Sequence, residues 1–344
     1  MTKPDASRGS ILILALWILT LLTVFSVSVG FAARQKATLL TRIDSIEQLF
    51  DIASAGVQKI GSVLRQDESN SMESTLGVWV NNTSAFSEIP VGDGFFSLET
   101  PVYDDATGKI VTRTGAVDEE SKINVNTADA QTLGRLFKGA LDISEDQAQS
   151  IAYAIVDWRD ADSFYGHPNY GSEDPDYRDL RLPYEGKDAP FDVLDELLLV
   201  RGINQAIFDR IKPFVTVYGT GTVNINTASR PVLGALGLSS QVIDSIMVYR
   251  AGPDKELGNG DANIFTDSGK IVEELELVVP VGGIDAPAIE ALADQNKLGV
   301  GSNYFRVEVK AQTQAKGEEM RLEAVLMHSG KTVYMRTITG QNGE

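Results

Sequence analysis

Residues Ile11 to Ala33 read ILILALWILTLLTVFSVSVGFAA, 23 residues without a charge. About 20 apolar residues span a bilayer as a helix. The apolar pattern does not end there. Leu39, Ile43, Ile46, Phe50, Ala53, Val57, Ile60 and Leu64 recur at steps of three and four, the spacing of one stripe on a helix. No proline occurs between residues 10 and 89, so nothing forces a break. The pattern predicts one helix of about 50 residues, roughly 75 Å long at 1.5 Å per residue. Its first half lies in lipid and its second half on a globular head.

Alternation replaces this period further along. FFSLETPVY, a DDATGK turn and IVTRTGAV, between Gly94 and Val117, read as strands. YFRVEVKAQTQ, EEMRLEAVLMHS and KTVYMRTIT alternate apolar and polar residues near the C-terminus, separated by AKG and a Ser-Gly-Lys turn. Three strands with short connections predict an antiparallel meander. Such a sheet needs one face covered, and the amphipathic half of the long helix can supply that cover.

Residues 120 to 300 have a helical texture and an internal repeat. Ile123-Asn124-Val125-Asn126-Thr127-Ala128 matches Val223-Asn224-Ile225-Asn226-Thr227-Ala228, and Leu133-Gly134 faces Leu233-Gly234. Each copy continues through a helix ending in an aromatic-Arg pair, Trp158-Arg159 and Tyr249-Arg250. An acidic loop and a Leu-Glu-Leu type helix follow, at Val193–Val200 and Val272–Val279, then a Gly-Ile, at Gly202-Ile203 and Gly283-Ile284. Four ordered correspondences point to duplication. Asn-Thr-Ala reads as a helix start, its side-chain oxygens available to cap free N–H groups.

Charge narrows the chemistry. Against 30 Lys and Arg stand 48 Asp and Glu, a formal net charge of -18. Phosphate affinity comes from Lys and Arg, so this balance argues against nucleic-acid binding. The repeat and the LLLVRGINQAIFDRIKPFV stretch are similar to helix-hairpin-helix modules. Around Gly202, however, only Arg201, Arg210 and Lys212 are basic and the flank DVLDEL is acidic, which favours helical packing units. No cysteine is present and only two histidines, His167 and His328, which excludes disulfides, thiol catalysis and a His-rich zinc site. No phosphate loop or nucleophile elbow appears, and the chain reads as non-catalytic. The loop DWRDADSFYGHPNYGSEDPDYRDL collects Asp157, Asp160, Asp162, Glu173, Asp174, Asp176 and Asp179. Hard cations take six to eight oxygens, so the loop reads either as a calcium site or as a solvated acidic surface.

On residues alone three readings of the N-terminal segment stay open. One is a secretory signal peptide cut after Ala32, although its apolar core exceeds the usual length of about 7–15 residues. The others are a plain single-span anchor and the long helix. Arg8-Gly9-Ser10 followed by the apolar run resembles the type IV pilin superfamily. That resemblance implies that a prepilin peptidase cuts between Gly9 and Ser10 on the cytoplasmic side, in keeping with the basic leader. Two departures stand out. Ser10 replaces the usual Phe, and Leu14 stands where most pilins carry Glu at the fifth mature position.

The pilin helix, the β head and the repeated insertion, carried by VDEESKINVNTA, VDWRDAD, GSEDPDY, LDELLLVRGI and NINTA, together resemble the minor pseudopilin K family of the bacterial type II (general) secretion pathway. The resemblance implies an α+β fold: a long N-terminal pilin helix packed on an antiparallel β-sheet, with a large inserted all-α domain. It divides the chain into a leader (1–9), a transmembrane helix (10–33), and an amphipathic helix with the first β part of the head (34–119). A duplicated α-helical insertion (120–300) and the C-terminal strands (301–344) complete it. The resemblance implies structural calcium, with Asp160, Asp162, Glu173 and Asp174 as preferred ligands and Asp157 and Asp176 as alternates. A weaker second site would lie at Asp254, Asp261 and Asp267. It implies a single pass of the bacterial inner membrane, a periplasmic head, and a place at the pseudopilus tip with minor pseudopilins I and J above the major pseudopilin fibre. Leu39, Ile43, Ile46 and Phe50 are the expected helix contact. Leu14 suits a first subunit, because a Glu that would neutralise a predecessor's amine has no partner there, and an unpaired charge in the bilayer is costly.

Overall fold

The structure is a computed structural model that describes residues 8–66, 79–253, 263–277, 286–314 and 318–338. Leader residues 1–7, Asp254, Asp261 and the Gly283-Ile284 pair lie outside the described residues.

A single helix, α1, runs from Arg8 to Gln66 over 59 residues. Its apolar half contains two threonine hydroxyls that would be costly in lipid, but they bond back to the helix. Thr20 donates to the Trp17 carbonyl and Thr23 to those of Leu19 and Thr20, the local pairing that lets Thr sit in a membrane helix. The stripe beyond the apolar segment divides in two. Leu49, Ile52, Ala53, Val57, Ile60 and Leu64 are buried, whereas Leu39, Ile43, Ile46 and Phe50 stay exposed. Complete burial of Ile60 or Leu64 contributes about 1.5–3 kcal/mol each.

The buried half of α1 lies on a seven-stranded sheet. After a short helix α2 (Thr83–Phe86), strands β1 (Ile89–Val91), β2 (Gly94–Asp104), β3 (Lys109–Thr114) and β4 (Val117–Asp118) lead into the insertion. The chain returns as β9 (Tyr304–Thr313), β10 (Glu319–Met327) and β11 (Thr332–Ile338). The order is β1-β2-β9-β10-β11, with β3 on β2 and β4 on β9, all antiparallel. Phe305, Val307, Val309 and Ala311 of β9, with Leu322, Ala324 and Leu326 of β10, form one core with α1. Their alternates Arg306, Glu308 and Glu323 therefore point to the opposite face.

That opposite face carries the insertion, which has its own core from Ile123 to Leu298. It comprises β5 (Ile123–Asn124), α3 (Ala130–Ala140), α4 (Glu145–Arg159), α5 (Asp174–Arg178), α6 (Gln205–Ile211) and β6 (Val215–Thr216). A second set follows: β7 (Val223–Asn224), α7 (Arg230–Ala235), α8 (Ser240–Ala251), α9 (Ile271–Glu276), α10 (Ala286–Asp294) and β8 (Leu298–Gly299). The expected all-α insertion thus contains two small parallel ladders, β5–β6 and β7–β8. Leu194–Leu199 is a 3-10 turn, whereas its counterpart α9 is α-helical.

The repeated asparagines do not cap helices. Asp129 caps α3 by accepting from the Thr132 amide, and Ser144 opens α4 with a capping box. Asn124 and Asn224 instead accept from the amides of Asn126 and Asn226. The side-chain amides of Asn126 and Asn226 donate to the carbonyls of Phe191 and Phe265, whose N–H groups donate back to the Asn side-chain oxygens at 2.7 and 2.8 Å. Each Asn-x-Asn-Thr-Ala is a buried turn that staples a distant aromatic segment. The paired arginines close it, Arg159 and Arg250 donating to the carbonyls of Ala128 and Ala228 at 2.6 Å each.

Buried charge joins insertion to sheet. Glu119, in a 3-10 turn after β4, meets Lys122, Arg306 at 3.1 Å and the Thr216 hydroxyl at 2.6 Å. Burial and the neighbouring Arg306 push the Lys122 ammonium down to about 8, against the attraction of Glu119. Arg336 of β11 bridges Glu323 and Asp195 of the insertion at 2.8 Å each.

Candidate metal centre

Helix α4 delivers the acidic loop. Its last turn buries Asp157 and Trp158, and Asp160 is its C-cap. The Asp157 carboxylate accepts from the amides of Gly166 at 3.0 Å and Ser172 at 2.9 Å. It folds the loop back on itself, and desolvation pushes it up to about 6. Gly171 has φ +99°, and a Cβ there would sit 2.0 Å from an Asp157 oxygen. Glycine is required at this approach.

The fold gathers three of the expected ligands. Asp160, Asp162 and Glu173 each offer a carboxylate oxygen, and these oxygens lie within 4.8 Å of one another. Glu173 is 3% exposed, and burial, reinforced by Asp157 and Asp160, pushes it up to about 7. Burial followed by Asp162 raises Asp160. Oδ1 of Asp160 and Oε1 of Glu173 are buried without a hydrogen-bond partner. A buried orphan oxygen is expensive, and two in one acidic cluster suit a hard cation that accepts all-oxygen ligands.

The other expected ligands are engaged elsewhere. Asp174 accepts from the Gly186 amide and from Arg178, both at 2.9 Å. Asp176 takes Arg201, the Tyr165 hydroxyl and the Glu173 amide. Asp157 holds the loop amides. One acid was missed by the sequence reading. Asp188 adds to the negative field at both Asp160 and Glu173, and its amide donates to the Trp158 carbonyl at 3.1 Å. It lies beyond the acidic run in sequence, so only the fold brings it in. In the second copy Asp267 caps a 3-10 turn, accepting from the Gly269 amide. His167 belongs to the loop's packing: its Nδ1 accepts from the Asn169 amide and its ring stacks on Tyr170.

Comparison with known proteins gives this architecture a setting. Residues 109–220, from β3 through the first repeat copy and the acidic loop, match the family described as "Type II secretion system (T2SS), protein K". The chain is 27% identical over 327 residues to the type II secretion system protein K of Pectobacterium carotovorum subsp. carotovorum, covering 95% of this chain and 94% of that one. These likenesses converge on protein K of the type II secretion system. Type II secretion system protein K of Pseudomonas aeruginosa is 25% identical over 257 residues, 69% of this chain and 72% of that one. The fold is similar to that in the crystal structure of the GspK-GspI-GspJ complex from the enterotoxigenic Escherichia coli type 2 secretion system, with a TM-score of 0.64 and 16% identity over 89% of this chain and 100% of that one. The likenesses support a minor pseudopilin of the type II secretion system, and the apolar N-terminal helix is suited to membrane anchoring.

Proposed function

We propose that this minor pseudopilin is the non-catalytic tip subunit that initiates the type II pseudopilus with minor pseudopilins I and J. The major pseudopilin fibre grows beneath it to export folded proteins across the outer membrane. The observation that carries this reading is the asymmetry of α1: one face of its second half is buried on the head, and the apolar stripe just below it is exposed among the described residues. Leu14 supports the first position, since a tip subunit has no predecessor whose amine a Glu would neutralise. In this reading prepilin peptidase cuts between Gly9 and Ser10, α1 passes once through the inner membrane, and the head stands in the periplasm. Calcium binds Asp160, Asp162 and Glu173 in a structural role, with Asp188 adding negative field. The helix-hairpin-helix alternative is not favoured, because the chain lacks a basic hairpin face. Co-expression with I and J, followed by mass spectrometry of the mature N-terminus, tests the proposal. A ternary complex whose chain starts at Ser10 is expected. A start near Arg34, or three proteins that stay apart at micromolar concentration, would overturn it.

A further inference from the structure

The exposed stripe of α1 has a definite direction relative to the head. Near its upper end α1 touches the β10–β11 turn backbone to backbone: a Cβ on Gly61 would lie 3.0 Å from the Gly330 carbonyl oxygen. Its other flank meets β2, where a Cβ on Gly94 would lie 2.6 Å from Ile52. At ~3.6 residues per turn, Ile43 sits about five whole turns below Gly61 and shares its azimuth. Phe50 is displaced from that line by about 20° and Leu39 by about 40° at ~100° per residue. The bare stripe therefore points along the β11 flank of the helix.

On that flank the sheet is also uncovered among the described residues. β11 is the last strand in the order. Met335 pairs with Ala324, whose side chain is buried beneath α1, so Met335 is on the helix-bearing face. It is nevertheless 44% exposed. The next residue, Arg336, points the other way, to Asp195. Asp44, Glu47 and Asp51, all exposed, run along the solvent edge of the same stripe.

We propose that the β11 flank of α1 and the uncovered inner face of β11 form one docking track for a long amphipathic helix of another pilin-like subunit. That helix covers Leu39, Ile43, Phe50 and Met335 with its apolar stripe and sets a Lys- or Arg-bearing edge against Asp44, Glu47 and Asp51. The proposal rests on the assembly reading above and adds which face is used and what chemistry the partner brings. An apolar track with one acidic rim selects a helix with one basic rim, because rim charges set register and reject wrong partners.

The chain has no cysteine, so single cysteines placed in the full-length protein report contacts cleanly. Phe50→Cys, Met335→Cys and Lys59→Cys, the last on the far flank of α1, would be labelled with a photoreactive maleimide in membranes containing minor pseudopilins I and J. Cross-links from both Phe50→Cys and Met335→Cys to the helix of one partner, and none from Lys59→Cys, are expected. Combined Asp44→Lys, Glu47→Lys and Asp51→Lys should weaken co-purification about tenfold, a loss of ~1.4 kcal/mol, and reversing basic residues on the partner helix should restore it. A silent Met335→Cys beside a reactive Phe50→Cys overturns the shared track. Cross-links from Met335→Cys to a partner strand also overturn it, in favour of strand addition at the free edge. Failure of the unsubstituted proteins to co-purify would instead overturn the assembly reading.

Discussion

Asp160 and Glu173 each carry a buried oxygen that no hydrogen bond reaches, while Asp157 and Asp174 spend theirs on loop amides. That difference sorts the acids by consequence. At calcium about 100-fold above its Kd, the ion should add ~2.7 kcal/mol, read as a rise in melting temperature over the chelator-treated protein. Asp160→Asn with Glu173→Gln should abolish most of that rise, whereas Asp174→Asn should lower overall stability and keep the increment. A melting temperature indifferent to calcium would remove the site. Lys122 gives a second test. Its folded value of about 8 is below the usual 10.5, so between those pH values the unfolded chain holds more protons. Stability attributable to this group therefore rises with pH across that window. Denaturant titrations from pH 8 to 10.5 should show the wild type gaining on Lys122→Met; parallel profiles would mean the buried ammonium is not strained.

Elements were legible where the signal is local. The helix stripe, the three C-terminal strands and the duplication could be read from spacing. The functions of the asparagines could not, because Phe191 and Phe265, which their side chains hold, are 65 and 39 residues away. Asp188 is hidden for the same reason: its place beside Asp160 depends on how the loop closes over Trp158. The division of the stripe at Phe50 was also beyond sequence, since buried and bare halves carry the same residue types. What marks the boundary is glycine. A Cβ on Gly56 would lie 2.6 Å from Val309 and 3.0 Å from Phe96, so the helix is pressed onto the sheet there. Gly56→Leu gains about 1 kcal/mol of helix propensity but overpacks the contact, which costs ~1–3 kcal/mol or more. A net loss of about 2 kcal/mol in denaturant unfolding is expected, with no comparable loss for Gly30→Ala, where a Cβ meets nothing within 4 Å.

At the scale of the whole molecule, the sheet separates two tasks. The helix that runs to the membrane lies on one face, and the insertion with its acidic loop lies on the other, held through Glu119, Arg306 and the Arg336–Asp195 bridge. An unbroken α1 of 59 residues gives this arrangement an angular memory. Each added residue turns everything above it by ~100° and lifts it by ~1.5 Å. Inserting two alanines after Gln35 would turn the head by ~200°, but four would turn it by only ~40°. Secretion should therefore suffer more from the shorter insertion than from the longer one, and a loss that simply grew with length would mean the helix bends there. The rod works as a compass bearing as much as a tether: it fixes which way the head faces around the fibre before any neighbour arrives.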